Sequence, residues 1–280
     1  MSLPTLTSTT GTVDFFVAPE DGSRAYQMRN AKLDTGVRDR NFGLEAREIK
    51  IANLRGNEST ASLDKTGFQL VKQPAKHTSF TNEADIKKGY YGESAELLKK
   101  VTGASRVVIY DHTVRRRRPG EIDSSASKRQ PLSQAHVDQT PKSATAAVHR
   151  ILPAEEVPEL LKHRFQLINL WRPINNPASD WPLALCDFRS VDPVADVAPV
   201  ALVYDDREGE TYQVKYNEKH KWKYFSNVTP EEGILIKCYD SVQDGSVALY
   251  TPHTAFSDPL TPTDAPLRES IEVRALVFYD

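Results

Sequence analysis

From Phe165 to Tyr279 the sequence breaks into short β-branched and aromatic segments closed by Pro, Gly, Asn or Asp, and this cadence limits the fold more than any other feature. The predicted strands are Phe165–Trp171, Pro182–Asp187, Val200–Tyr204, Gln213–Tyr216, Trp222–Phe225, Gly233–Tyr239, Val247–Tyr250 and Ile271–Tyr279. Each is too short for a typical helix and long enough for a strand. So many strands in about 115 residues indicate a sandwich, jelly roll or barrel. A further strand is expected from Arg106 to Thr113. Helical spacing is confined to Asn82–Thr102, Ser143–Leu152 and Ala154–His163. The expectation is a mainly β chain with flanking helices.

With 280 residues, the chain fits one large β domain. We divide it into an N-terminal extension with a helix (1–105), a β core (106–280) and, within the core, a polar, mobile loop (115–134). That loop opens with Arg115, Arg116, Arg117 and Arg118. Acidic Glu121 and Asp123 follow, no aromatic residues are interleaved, and the whole chain carries a formal charge of -2. Nucleic-acid binding is therefore not expected, and the run reads as a solvated loop or a carboxylate-gripping lid. No apolar run is long enough for a membrane span, and Met1 to Thr12 lacks the apolar core of a signal peptide. The two cysteines, Cys186 and Cys238, form no metal or redox motif. A cytoplasmic protein is expected, and an exposed edge strand would support a homodimer.

Metal chemistry has to come from the histidines. In His136-Val137-Asp138, residues two apart project to the same side of an extended segment, so an imidazole and a carboxylate can meet one ion. One such pair is a weak signal. A second piece strengthens it: His253, followed 15 positions later by Arg268 and then Ser270 at the start of the last strand. Two histidines and a carboxylate on one face of a metal are the requirement of a non-haem Fe(II) oxygenase. The Arg268 guanidinium is a planar fork for the distal carboxylate of a 2-oxo acid co-substrate, with Ser270 on the same strand face as a further donor. His220 competes with His253 as the distal ligand, although no arginine follows it at a suitable distance, and Arg274 competes with Arg268 by strand parity. Arg172 and Arg189 either bind substrate or co-substrate carboxylate or form structural ion pairs. Tyr110, His112, Arg189, His220 and Trp222 are candidates to line the substrate pocket.

The segments His136-Val137-Asp138, Asn169-Leu170-Trp171-Arg172-Pro173, Leu185-Cys186-Asp187-Phe188-Arg189-Ser190, Lys237-Cys238-Tyr239-Asp240-Ser241, His253-Thr254-Ala255-Phe256 and Arg268-Glu269-Ser270-Ile271-Glu272-Val273-Arg274 occur in this order. Together they resemble the fungal gibberellin desaturase and aspergillic-acid hydroxylase-like family, which includes a cephamycin methoxylation protein. The resemblance spans about Val107 to Phe278. It implies a double-stranded β-helix, Fe(II), 2-oxoglutarate and O2, and the oxidation of a small specialised metabolite by hydroxylation, desaturation or oxidative cyclisation. The competing class is a non-redox metal-binding jelly-roll protein or a zinc hydrolase, neither of which needs Arg268 beside the metal.

Overall fold

The computed structural model describes residues 7–29, 39–123 and 125–280; the start of the segment read for a signal peptide and Ser124 of the polar loop lie outside them. The elements run β1 (Ser8–Val17), β2 (Tyr26–Met28), β3 (Gly43–Asn53), β4 (Phe68–Lys72), α1 (Glu83–Asp85), a π turn (Ile86–Tyr90), α2 (Tyr91–Thr102), β5 (Arg106–Arg116) and β6 (His136–Val137). They continue with α3 (Pro141–Ile151), α4 (Val157–Leu160), β7 (Phe165–Pro173), β8 (Leu183–Cys186), β9 (Val197–Val203), β10 (Glu208–Val214), β11 (Trp222–Tyr224), β12 (Glu232–Asp240), β13 (His253–Ala255) and β14 (Glu269–Phe278). Among the described residues the strands form two sheets. The larger has the order β1-β3-β11-β8-β13-β6-β10-β9-β2, and the smaller β4-β12-β7-β14-β5. This is the mainly β, jelly-roll architecture anticipated, with few helices.

Strand β7 explains how the smaller sheet is built. All nine of its residues are buried, because it lies between β12 and β14 and is covered on both faces. Ile168 and Leu170 join Ile271, Val273, Ala275 and Val277 of β14 against Leu97 and Leu98 of α2. Leu167 and Trp171 face the opposite way, into a cluster containing Ala144, Ala147 and Val148 of α3. Hence the even-numbered residues of β14 from Ser270 to Arg274 point inward, as strand periodicity requires.

Several sequence expectations change. Strands β1 to β4 contribute to both sheets, so the sheets do not begin at residue 106. The segment Val247–Tyr250 forms no strand: Ala248 N–H bonds to Asp64 O, and Thr251 N–H bonds to Lys237 O, outside any ladder. The predicted helix at 154–163 contracts to α4. The helix predicted from Ser143 starts earlier, because Thr140 caps it through a reciprocal bond with Ser143 and Pro141 occupies its first turn. Asn82, by contrast, caps α1 where expected, accepting from the Ala84 and Asp85 N–H groups. No helix among the described residues is long and apolar enough to cross a membrane.

Candidate metal and co-substrate site

The two imidazoles meet through strand register. His136 on β6 and His253 on β13 are directly paired across the larger sheet, and their ring centroids lie 4.5 Å apart. Asp138 follows β6 on the same side, with Oδ1 3.3 Å from His136 Nε2. Ligand atoms from His136, Asp138 and His253 all lie within 4.8 Å of one another. In each histidine, Nδ1 faces a backbone carbonyl two residues back: Gln134 O at 2.8 Å and Thr251 O at 3.0 Å. A carbonyl only accepts, so Nδ1 carries the proton and Nε2 presents a bare lone pair. Burial, reinforced by the neighbouring His136, pushes the His253 pKa down to about 4, which keeps that ring neutral.

The carboxylate is held from the smaller sheet. Asn169 of β7 and Arg274 of β14 are register partners, and both donate to Asp138 Oδ2, at 2.7 and 3.2 Å. Burial alone would raise the Asp138 pKa. The charge of Arg274 outweighs it and holds the carboxyl well below the usual range. Arg274 also donates to Asp111, Thr113 and Glu272. Two bare imidazole nitrogens and an ionised carboxylate on one face suit a divalent iron and leave further coordination positions open.

Arg268 is buried, and its guanidinium makes no ion pair with a carboxylate among the described residues. Nη1 donates to Trp181 O at 2.6 Å, Nε and Nη2 approach Ser270 Oγ at 3.4 Å, and the group lies 5.0 Å from the centre of the Trp171 ring. Trp181 is held at φ 46°, an unusual conformation for a bulky side chain, which turns its carbonyl towards this cation. A cavity of about 460 Å³ opens beside the triad, walled by His136, Asp138, Arg274, Arg115, Tyr110 and Thr211 among others. Tyr110 and Asp111 both reach its wall, because the β5–β14 register slips between Arg274 and Ala275 and re-aims successive side chains.

Other residues singled out from sequence lie elsewhere. Arg172 projects from the opposite face of β7, donating to the Tyr90 hydroxyl and Pro230 O, so it is placed away from the co-substrate site. Arg189 forms a two-pronged ion pair with Asp187, which is the structural alternative for that residue. His220 is buried and bonded through Nε2 to Asp196 Oδ2 at 2.9 Å, outside the ligand group. Trp222 packs in a core with Phe15 and Ile51, and His112 pairs with the Tyr91 hydroxyl on the helix side of β5. None of these five lines the cavity. Asn169 and the two orienting carbonyls escaped sequence analysis, because they act through register and backbone position rather than through a motif.

Comparison with known proteins decides the chemistry. A family described as "Oxidoreductase/YMDC permease-like domain" matches residues 13–278. The "Hydroxylase/desaturase efuI" of Hormonema carpetanum is 37% identical over 253 residues, covering 83% of each chain. The "Fe(II)/2-oxoglutarate-dependent dioxygenase nvfI" of Aspergillus novofumigatus is 32% identical over 270 residues, covering 94% of each. The chain belongs to this oxidoreductase family of Fe(II)/2-oxoglutarate-dependent dioxygenases. A solved structure of the "iron and alpha-ketoglutarate-dependent endoperoxidase NvfI" superposes with a TM-score of 0.83, at 29% identity and 98% coverage of both chains. The dioxygenase thus takes Fe(II), 2-oxoglutarate and O2 as its reaction partners, which sets aside the hydrolase and non-redox readings.

Proposed function

We propose that the dioxygenase oxidises an unactivated C–H bond of a small specialised metabolite in the cytosol, as a member of the gibberellin desaturase and aspergillic-acid hydroxylase branch. The dioxygenase nvfI and the hydroxylase/desaturase efuI, similar along most of the chain, support oxygenation or desaturation as the outcome. His136, Asp138 and His253 would hold Fe(II), and Arg268 with Ser270 would hold the far carboxylate of 2-oxoglutarate. The pairing of His136 with His253 across β6 and β13 carries this assignment.

Bound iron and 2-oxoglutarate would supply the oxidising power, drawn from O2. The chain's own part is positional. Gln134 O and Thr251 O fix both imidazole orientations, while Asn169 and Arg274 keep Asp138 ionised and in place. The predicted loop starts later than expected, since Arg115 and Arg116 belong to β5; Leu132 and Gln134, near the end of the segment joining β5 to β6, stand on the cavity wall with Tyr110 and limit the water that reaches the substrate. The whole of 1–280 would act as one catalytic domain.

Anaerobic addition of Fe(II) and 2-oxoglutarate should produce a weak visible charge-transfer band, and admission of O2 should produce succinate. His136→Ala and His253→Ala should abolish both. Persistence of either signal in those variants would refute the ligand assignment.

A further inference from the structure

The four consecutive arginines have separate partners. Arg116 donates to Glu269, Arg117 to Asp180 Oδ1 at 2.5 Å, and Arg118 to Ser127 O. Arg115 differs from the first two. Its Nη1 donates to Gln130 O at 2.8 Å, and among the described residues no carboxylate forms an ion pair with it. It nevertheless stands on the cavity wall beside His136, Asp138 and Arg274.

Register places Arg115 directly opposite Ser270 across the β5–β14 pair, while Arg268 lies two residues before Ser270 on the same face. Ser270 therefore has an arginine on either side: Arg268, whose Nε and Nη2 approach its hydroxyl, and Arg115, its partner across the strand pair. Burial and the charge of Arg115 together drive the Arg268 pKa down to about 9, and burial lowers that of Arg115 as well. Glu272, the nearest inward carboxylate on β14, pairs with Arg274 instead. Glu272 offsets part of the charge of both arginines, and Asp180 part of that of Arg268, without a side-chain ion pair to either, so the two neighbouring cations still favour a further anion.

Arg268 cannot meet that anion with its whole fork, since Nη1 is committed to Trp181 O. Arg115 has donors left over beyond its bond to Gln130. One carboxylate oxygen can be met from each side.

We propose that Arg115 is a second anchor for the distal carboxylate of the co-substrate, gripping it with Arg268 across Ser270 and selecting a dicarboxylic over a monocarboxylic 2-oxo acid. The inference rests on the assignment of Arg268 and Ser270 to the co-substrate, and its test separates the two.

Binding of 2-oxoglutarate and of 2-oxopentanoate, which lacks the distal carboxylate, is measured anaerobically on the Fe(II)-loaded protein. The wild type should prefer the diacid. Arg115→Gln should weaken 2-oxoglutarate about tenfold or more, the scale of a lost charge-assisted hydrogen bond, and leave 2-oxopentanoate within about twofold. Arg115→Lys keeps the charge and a donor for Gln130 O and should recover part of the preference, which guards against misfolding as the cause. Unchanged 2-oxoglutarate affinity in Arg115→Gln, equal weakening of both acids, or a change confined to the KM of the organic substrate would overturn the proposal. If Arg268→Met also left the wild-type preference intact, the co-substrate assignment itself would fall.

Discussion

Replacing Asn169 with alanine tests whether the smaller sheet governs the metal. Asn169 is buried on β7 and donates to Asp138 Oδ2 at 2.7 Å. A hydrogen bond to a charged acceptor contributes ~1.5–3 kcal/mol when both partners are buried. Loss of such an outer partner commonly weakens metal binding ~10–100-fold, which is ~1.4–2.8 kcal/mol and the same range. Arg274 still holds the same oxygen at 3.2 Å, so the lower end applies. Asn169→Ala should therefore raise the metal Kd about tenfold, measured by calorimetry with Mn(II) as a redox-inert stand-in under matched buffer. Turnover at saturating Fe(II) should fall much less, since the open coordination positions do not involve Asn169. A metal Kd within about twofold of wild type, with only the unfolding temperature lowered, would refute the reasoning and leave Asn169 a packing residue.

Three further outcomes follow from the packing. Burial favours protonation of Asp240, but Arg164 and Lys237 outweigh it and lower its pKa; its stabilisation is complete above the unfolded carboxyl pKa of about 3.9 and is lost as pH falls through the lower folded value. Asp240→Asn should cost ~1.5–3 kcal/mol at neutral pH, because Lys237 and Arg164 lose one carboxylate but keep Asp64, and should flatten the acid limb of the stability profile below about pH 4, as read by urea unfolding. Gly67 sits at φ +87° with Thr251 Oγ1 2.2 Å from where a Cβ would lie, so Gly67→Ala should lose ~1–3 kcal/mol and also weaken metal binding, because Thr251 O orients His253. His220→Ala should lower the unfolding temperature by breaking the buried bond to Asp196 while leaving the metal Kd unchanged; weakened metal binding there would return His220 to the ligand set.

The fold was most readable where strands are buried on both faces. Phe165–Trp171 and Gly233–Tyr239 are largely apolar, broken only by Gln166, Asn169 and Lys237, and both are central strands of the smaller sheet. The N-terminal strands were missed for opposite reasons. β1 carries a period of two, burying Thr9, Gly11, Val13 and Phe15, but its Ser/Thr content masks the pattern. β3 is rich in charge and buries only Ile49 and Ile51 fully, and it is defined by pairing with β1 and β11 rather than by its own residues. In the site, residue type and two-residue spacing brought out His136 and Asp138. The strand β13 is three residues long, so its register against β6, which brings His253 across, has no local signature. Arg172 shows the converse limit. It neighbours Trp171 in sequence, yet the pleat sends it to the opposite face of β7.

The division of labour between the sheets explains why so many arginines surround one carboxylate. The larger sheet supplies the imidazoles, which burial keeps neutral in the case of His253. The smaller sheet supplies the cation Arg274 from β14, Arg268 from the residue just before that strand, and Arg115 from β5 beside it. Against these stand Asp138, held ionised by Arg274, and Glu272, whose pKa burial raises. A divalent ion alone would add positive charge to a pocket already rich in it, and a dicarboxylate alone would crowd Asp138. Together the two cancel, so the pocket's electrostatics favour metal and 2-oxo diacid as a neutral pair over either one singly.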